Sequence, residues 1–248
     1  MVGVDTVFHL ASVERQGARA DLQDIDNQGT RTIVEAAKDA SIDRFFFLSH
    51  LGADRASAYP VLKTKAIAEE YVRRSGIDYT ILRTALVFGL NDGFTTGLAQ
   101  ILSSTPFFFL MPGDGKVLIQ PLWVEDLTTC LVWSLDDPET RNRTLEIGGP
   151  EYLTFDQVVK LVMKEIRAPR LVLNIPPLYL RWLTVTLDTI FPRLPATVFW
   201  LDYLAANRTT ALDTMPRVFN LMPSRLNQRV AYLREQNWRR SLLRLLRG

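Results

Sequence analysis

Residues 44–70, RFFFLSHLGADRASAYPVLKTKAIAEE, decide the fold. Phe45, Phe46, Phe47 and Leu48 form an apolar run that ends at Ser49. A near-continuous run of that kind suits a strand covered on both faces. A short polar loop follows, and Tyr59-Pro60 opens a helical segment carrying Lys63, Lys65, Glu69 and Glu70. Proline fits best at the first helical position, so Tyr59 stands before the helix in extended backbone. Val61, Lys65, Ala68 and Val72 then share one face at helical spacing, bordered by Thr64 and Tyr71. Lys63, Ile67, Glu70 and Arg74 share another. Residues two apart on a helix point roughly 200° from each other, so Lys65 is expected to face inward and Lys63 outward.

The flanks repeat the pattern. Val4 to Leu10 reads as a short strand, Asp26 or Asn27 as the cap of a helix running to Ala40, and Tyr79 to Phe88 as a third strand closed by Gly89. Strand–helix–strand–helix–strand with short connectors means a parallel sheet with right-handed crossovers. The expectation is an α/β chain: a partial Rossmann-type parallel sheet with helices on both faces, then a mostly helical C-terminal region. The division is placed at 1–135, with an insertion at about 90–116, and 136–248. Beyond Gly89 we expect a helix from Phe94, a strand at Val117–Trp123 and a helix from Val124. A helix capped by Thr154 with Gln157 in a capping box, and a strand at Leu171–Ile175, come next. From Pro176 the chain reads as helical, interrupted by Pro192, Pro195, Pro216 and Pro223.

Composition narrows the function classes. A formal net charge of +2 gives no reason to expect nucleic acid as a partner. Cys130 is the only cysteine, so no internal disulfide forms, which fits a reducing compartment. No stretch of 18 uncharged apolar residues occurs, and the opening residues carry no signal-peptide pattern. A cytoplasmic protein, peripheral at the membrane at most, is expected. His9 and His50 each follow a strand run and suggest no metal site. Between Arg234 and Arg247, Trp238, Leu242, Leu245 and Leu246 recur at helical spacing among Arg239, Arg240, Arg244 and Arg247. Such a helix lies in a membrane interface or docks on its own domain or a partner, and both readings stay open for 234–248. Phe107-Phe108-Phe109 reads as core or as the lining of an apolar substrate pocket.

A strand that delivers Ser49, followed by a helix that delivers Lys65 and a nearby Tyr59, can assemble an acid–base group. The hydroxyls polarise a substrate oxygen. The ammonium holds a ribose and lowers the tyrosine pKa. Arg83, at a strand end, pairs with a phosphate or with a nearby carboxylate.

Several stretches together resemble the extended and atypical short-chain dehydrogenases/reductases, above all the branch with NmrA-like proteins and the nucleotide-binding accessory subunit of respiratory complex I. Asp5-Thr6-Val7-Phe8-His9-Leu10-Ala11 is similar to the family's fourth-strand signature, whose end lies against the cofactor's adenosine half. Asn27-Gln28-Gly29-Thr30 resembles its N-x-x-G-T, Phe47-Leu48-Ser49 the strand with the catalytic Ser, and Lys65 to Glu69 its K-x-x-x-E. Ile81-Leu82-Arg83-Thr84 through Gly89 is similar to its L-R-P…V-Y-G stretch, with Thr84 in place of Pro. Gln120 to Asp126 resembles its V-D-D element. The resemblance implies NAD(P) as cofactor, with Ser49, Tyr59 and Lys65 catalytic and His9, Leu10, Ala11, Asn27, Lys65 and Arg83 around the dinucleotide.

Two departures qualify what is implied. The family opens with a strand, a G-x-x-G-x-x-G turn and a helix that hold the pyrophosphate, and this sequence contains no such turn. The expectation is an N-terminally shortened form that binds the dinucleotide loosely. Val61 stands where the family's catalytic Tyr stands. The leading expectation is an NAD(P)-binding oxidoreductase-like protein acting on an unknown small molecule. The alternatives are a non-catalytic nucleotide-binding subunit of a membrane-associated complex and a sugar-nucleotide epimerase or dehydratase.

Overall fold

The computed structural model describes residues 3–13, 16, 21–191 and 194–247. Pro192 therefore lies outside the described residues, as do the side chains of Leu245 and Arg247. The chain opens with β1 (Thr6–His9), a π-helical stretch (Leu22–Gly29), α1 (Thr30–Asp39), β2 (Arg44–His50) and α2 (Pro60–Arg73). β3 (Tyr79–Thr84), β4 (Val87–Phe88), α3 (Thr95–Ser104), β5 (Phe108–Pro112), β6 (Leu118–Ile119) and β7 (Leu122–Trp123) follow. Then come α4 (Val124–Asp136), β8 (Arg143–Ile147), β9 (Leu153–Thr154), α5 (Phe155–Glu165) and β10 (Leu171–Ile175). The last part is helical: α6 (Pro177–Ile190), α7 (Val198–Tyr203), α8 (Thr214–Phe219), α9 (Leu226–Arg229) and α10 (Trp238–Arg247).

The main sheet runs β1-β2-β3-β8, every pair parallel. β2 is central because its residues tolerate no water. Phe45, Phe46 and Phe47 are at most 1% exposed, each worth about 1.5–3 kcal/mol of burial. The pleat sends Phe45 and Phe47 toward α1 and α2, with Val34, Ala37, Ala68 and Val72. It sends Phe46 to the other face, with Leu127 and Leu131 of α4 and Met215 and Phe219 of α8. Helices thus cover both faces, as the sequence pattern predicts. β8 joins the sheet from beyond residue 135, so the expected division falls within the crossover that leads to it.

Local differences from the sequence reading have clear causes. The first helical stretch starts at Leu22, where the Asp21 side chain accepts from the Asp24 amide. Asp26 and Asn27, expected as caps, are therefore buried inside it. The expected strand 117–123 breaks into β6 and β7, which pair with different partners. Between them, Gln120 is fully buried; its amide donates to the Gly149 carbonyl and accepts from the Thr210 amide, each at 2.7 Å. Gly149 is required there, since a Cβ would lie 1.7 Å from the Pro121 carbonyl oxygen. Thr154 and Gln157 form the expected capping box.

The second core gathers α3, α5 and the C-terminal helices. Trp238 of α10 is buried in it, Leu242 is buried as well, and Gln100 of α3 donates to Ser241. The stripe of the terminal helix is thus turned into its own domain, while Arg239 and Arg240 are exposed. Among the described residues, no helix is long and apolar enough to cross a membrane.

Candidate functional site

Open α/β sheets hold ligands at the carboxyl ends of their strands. At that edge of β2 and β3 lies a cavity of about 260 Å³. Ser12, Ser49, His50, Lys65 and Thr84 supply its polar side chains, beside Leu10. Apolar walls come from Leu48, Leu86, Val87 and Leu127, with Phe199, Trp200 and Tyr203 of α7.

Lys65 faces inward, as the helical spacing requires, and is 4% exposed; Lys63 points to solvent. The Lys65 Nζ lies 3.1 Å from Asp26 Oδ1 and 5.5 Å from the centre of the Phe47 ring. Asp26 Oδ2 accepts from the Val13 amide at 3.0 Å, so the carboxylate also ties down the chain leaving β1. A buried ammonium needs such a partner, because the ion's desolvation costs several kcal/mol. Beside this pair, His9 meets the Thr30 hydroxyl at 2.8 Å and stacks on Phe47. Thr30 gives its own proton to the Asp26 carbonyl at 2.5 Å, which leaves His9 Nε2 as the donor. Burial and the Lys65 charge lower the His9 pKa to about 4 against a weaker pull from Asp26, so the ring is neutral at pH 7.

Ser49 is 1% exposed and its Oγ donates to Glu69 Oε1 at 2.6 Å. Glu69 is wholly buried and also takes two bonds from Arg83, at 2.9 and 2.8 Å, and one from Arg73 at 2.5 Å. Burial alone pushes the Glu69 pKa up. The bonds from Arg83, Ser49 and Arg73 outweigh it and hold the carboxyl below its ordinary value. Arg83 further lies 3.6 Å from Glu146. Of the two partners considered for Arg83, the structure supplies carboxylates, and its guanidinium does not line the cavity.

Of the residues the sequence singles out, Leu10, Ser49 and Lys65 meet in one cavity. Tyr59 is left out of it. Pro60 occupies the first helical position, Tyr59 is extended (φ −89°, ψ 119°), and its ring sits 5.8 Å from the Arg208 guanidinium carbon. Asn27 is buried in the π-helical stretch with its amide on Gln23 at 3.0 Å, so it also stands away from the cavity. Ala11 is exposed past the end of β1. Asp26, Glu69, His50 and Tyr203 belong to the neighbourhood, but the sequence reading assigns none of them to the site. Asp26 is 39 positions from Lys65 and Tyr203 another 138 beyond, separations at which no local spacing carries a signal. Among the described residues, no group of three or more His, Cys, Asp or Glu is placed to hold a metal ion.

Residues 1–108 match a family described as NAD(P)H-binding. The chain is 30% identical over 158 residues to NADH dehydrogenase (ubiquinone) 1 alpha subcomplex subunit 9, mitochondrial, of Mus musculus, covering 62% of this chain and 41% of that one. It is 32% identical over 155 residues to the photosystem II assembly factor Ycf39 of Cyanophora paradoxa, covering 60% and 45%. The chain thus spans less than half the length of these curated relatives. Among solved structures it superposes on the Citrobacter sp. triphenylmethane reductase complexed with NADP(H), with a TM-score of 0.69, 17% identity and 94% and 77% coverage. The UDP-glucose 4-epimerase of Thermotoga maritima gives 0.66, 18%, 96% and 78%, and both likenesses are of fold. Residues 1–108 thus resemble an NAD(P)H-binding domain, part of the chain is similar in sequence to subunit 9 of the NADH dehydrogenase 1 alpha subcomplex, and the fold is that of the NAD(P)-dependent enzymes it superposes on.

Proposed function

We propose that the protein binds the nicotinamide–ribose half of NAD(P)(H) in the 260 Å³ cavity. The observation that carries this reading is the Lys65 amine, 4% exposed at the carboxyl end of parallel strands. A buried ion pair adds little net stability over apolar packing, so its place at this edge suits a role in binding. The residues present fit that half of the cofactor: Lys65 would donate to the ribose hydroxyls, and Leu48, Leu86, Val87 and Leu127 would exclude water from the ring. Bound NAD(P)H would supply a hydride. The sequence offers no glycine-rich turn for the pyrophosphate, so affinity should be modest.

The test is a titration with NADH and NADPH, read by nicotinamide fluorescence. Lys65→Met/Asp26→Asn, which removes both charges, should weaken binding at least tenfold, and Lys63→Met should not. Equal effects of the two would refute the site.

A second reading, a nucleotide-binding subunit without turnover, is favoured by Val61 and Ser49. Valine offers no proton where the resemblance puts the acid–base Tyr, and the Ser49 hydroxyl is held by Glu69. Relatives named as a subunit of NADH dehydrogenase and as an assembly factor support it. The same residues speak against epimerase or dehydratase chemistry. No carbonyl-dependent oxidation of NAD(P)H above background is expected; turnover abolished by Ser49→Ala would restore the enzymatic reading.

A further inference from the structure

α6 is mostly apolar, with Arg181 and Asp188 its two charged residues, yet it lies on the surface. Its inner residues, Leu180, Leu183, Thr184 and Leu187, close a second cavity of about 240 Å³ with Phe108 and Trp200. Its outer residues have no cover. Leu178 is 74% exposed, Tyr179 67% and Trp182 71%. Large apolar side chains left exposed together on one helix mark a surface that something else covers.

The neighbouring β5–β10 ribbon, whose Phe108 and Leu110 line the same cavity, adds further exposed apolar groups. β5 and β10 pair in parallel with Leu171 opposite Phe108 and Leu173 opposite Leu110, and all four side chains are exposed. Phe107, just before β5, is 70% exposed. Soluble monomers rarely leave so many large apolar groups contiguous.

Charge identifies what covers this face. The segment entering β10 carries Lys160, Lys164, Arg167 and Arg170 around one shallow hollow. Lys160 pairs with Asp156, and Arg170 donates to the carbonyls of Thr105 and Pro169. Among the described residues, Lys164 and Arg167 have no acidic partner, and both are exposed. Cations bordering a surface that presents Trp, Tyr, Leu and Phe match a bilayer interface: aromatic rings at headgroup depth, aliphatic groups below, ammonium and guanidinium groups on anionic headgroups.

We propose that the face formed by the outer side of α6 and the β5–β10 ribbon docks on a membrane containing anionic lipids. This deepens the membrane-associated reading above, but it is read without any dinucleotide, so either can fail alone. It also moves the membrane contact away from α10, whose Trp238 and Leu242 are already buried.

The test is co-sedimentation of the full chain with phosphatidylcholine vesicles, with and without phosphatidylglycerol. The wild-type chain should pellet with the anionic vesicles and be released by salt. Lys164→Glu/Arg167→Glu should weaken binding about a thousandfold, at about 1 kcal/mol per cation near the surface and as much again for reversal. Leu178→Gln/Trp182→Gln should abolish it. Both pairs are exposed, so circular dichroism and melting should stay as in the wild type. Arg239→Glu/Arg240→Glu on α10 should leave binding unchanged. The proposal is overturned if the chain ignores anionic vesicles, if it binds pure phosphatidylcholine equally well, or if the α6 pair has no effect. It is equally overturned if the α10 pair abolishes binding, or if the chain is a dimer that the α6 substitutions split, which would make a second copy the occupant.

Discussion

Two cavities of nearly equal volume, about 260 and 240 Å³, share Trp200 as a wall and differ in everything else. The first lies where parallel strands end, so backbone geometry alone delivers Ser49, His50 and Thr84 to its rim. The second lies between α3, α6, α7 and the β5–β10 ribbon, and helix faces deliver only what their apolar stripes contain. One holds a buried ion pair on its edge; the other is lined almost wholly by apolar side chains, with Thr105, Thr184 and Thr197 as its hydroxyls. The difference shows that polarity at a site follows from which kind of element ends there, not from volume.

The contrast is sharpest at Lys65. Lys65→Met leaves Asp26 buried without its cation, and breaking a buried pair from one side costs about 3–5 kcal/mol. Urea unfolding should show this loss, and the double variant Lys65→Met/Asp26→Asn should recover most of it. Recovery of stability without recovery of dinucleotide binding would separate the structural role of the pair from its role in the site. Recovery of both would reduce the cavity to packing.

His9 makes the same edge sensitive to acid. Its folded pKa is about 4 against 6.5 for the free side chain. Below 6.5 the unfolded chain takes up a proton that the folded one refuses, so stability falls as pH drops from 6.5 toward 4, by roughly 3 kcal/mol in total. Glu69, held below its ordinary value, adds a further loss at lower pH, once the unfolded carboxylate begins to protonate. Denaturation midpoints followed from pH 7 to 4 should slope downward in the wild type and flatten in His9→Gln. No slope would mean that the ring is open to water.

The apolar cavity should respond differently. Leu98 of α3 lines it and is 5% exposed. Leu98→Ala should cost about 2 kcal/mol, the low end for such truncations, because a side chain on a cavity wall has fewer partners to lose. The cost should be independent of pH, and NAD(P)H affinity should not move. A coupled change in affinity would show that Trp200 transmits strain between the cavities.

How much of this was legible follows from the range of each signal. The β2 run, the Pro60 start and the Lys65 face are local, and three to four residues of spacing suffice to read them. The parallel order and the helices on both faces followed from alternation of elements. Asp26 was read as a cap because Asp before an apolar run usually is one; the π-helical stretch beginning at Leu22 overrode that and buried it. Arg83 was left between phosphate and carboxylate because its partner Glu69 comes from another element, and only the fold decides the pairing. The α10 stripe was plain in sequence, but whether its face meets lipid or protein is a tertiary fact. The exposure of α6 was invisible for the converse reason: a mostly apolar helix reads as buried until its neighbours are known.

The smallest effect is the most discriminating. Lys63 and Lys65 are two residues apart on one helix with the same side chain, and only the helical turn separates their surroundings. Lys63 is exposed and has no carboxylate partner among the described residues, so Lys63→Met should change stability by no more than about 0.5 kcal/mol. Its dinucleotide affinity should stay within error, because long-range attraction from an exposed charge is screened at physiological salt. If Lys63→Met instead matched Lys65→Met in either measurement, the helix register would be wrong by half a turn, and the cavity at the strand ends would lose the one cation that distinguishes it from its apolar neighbour.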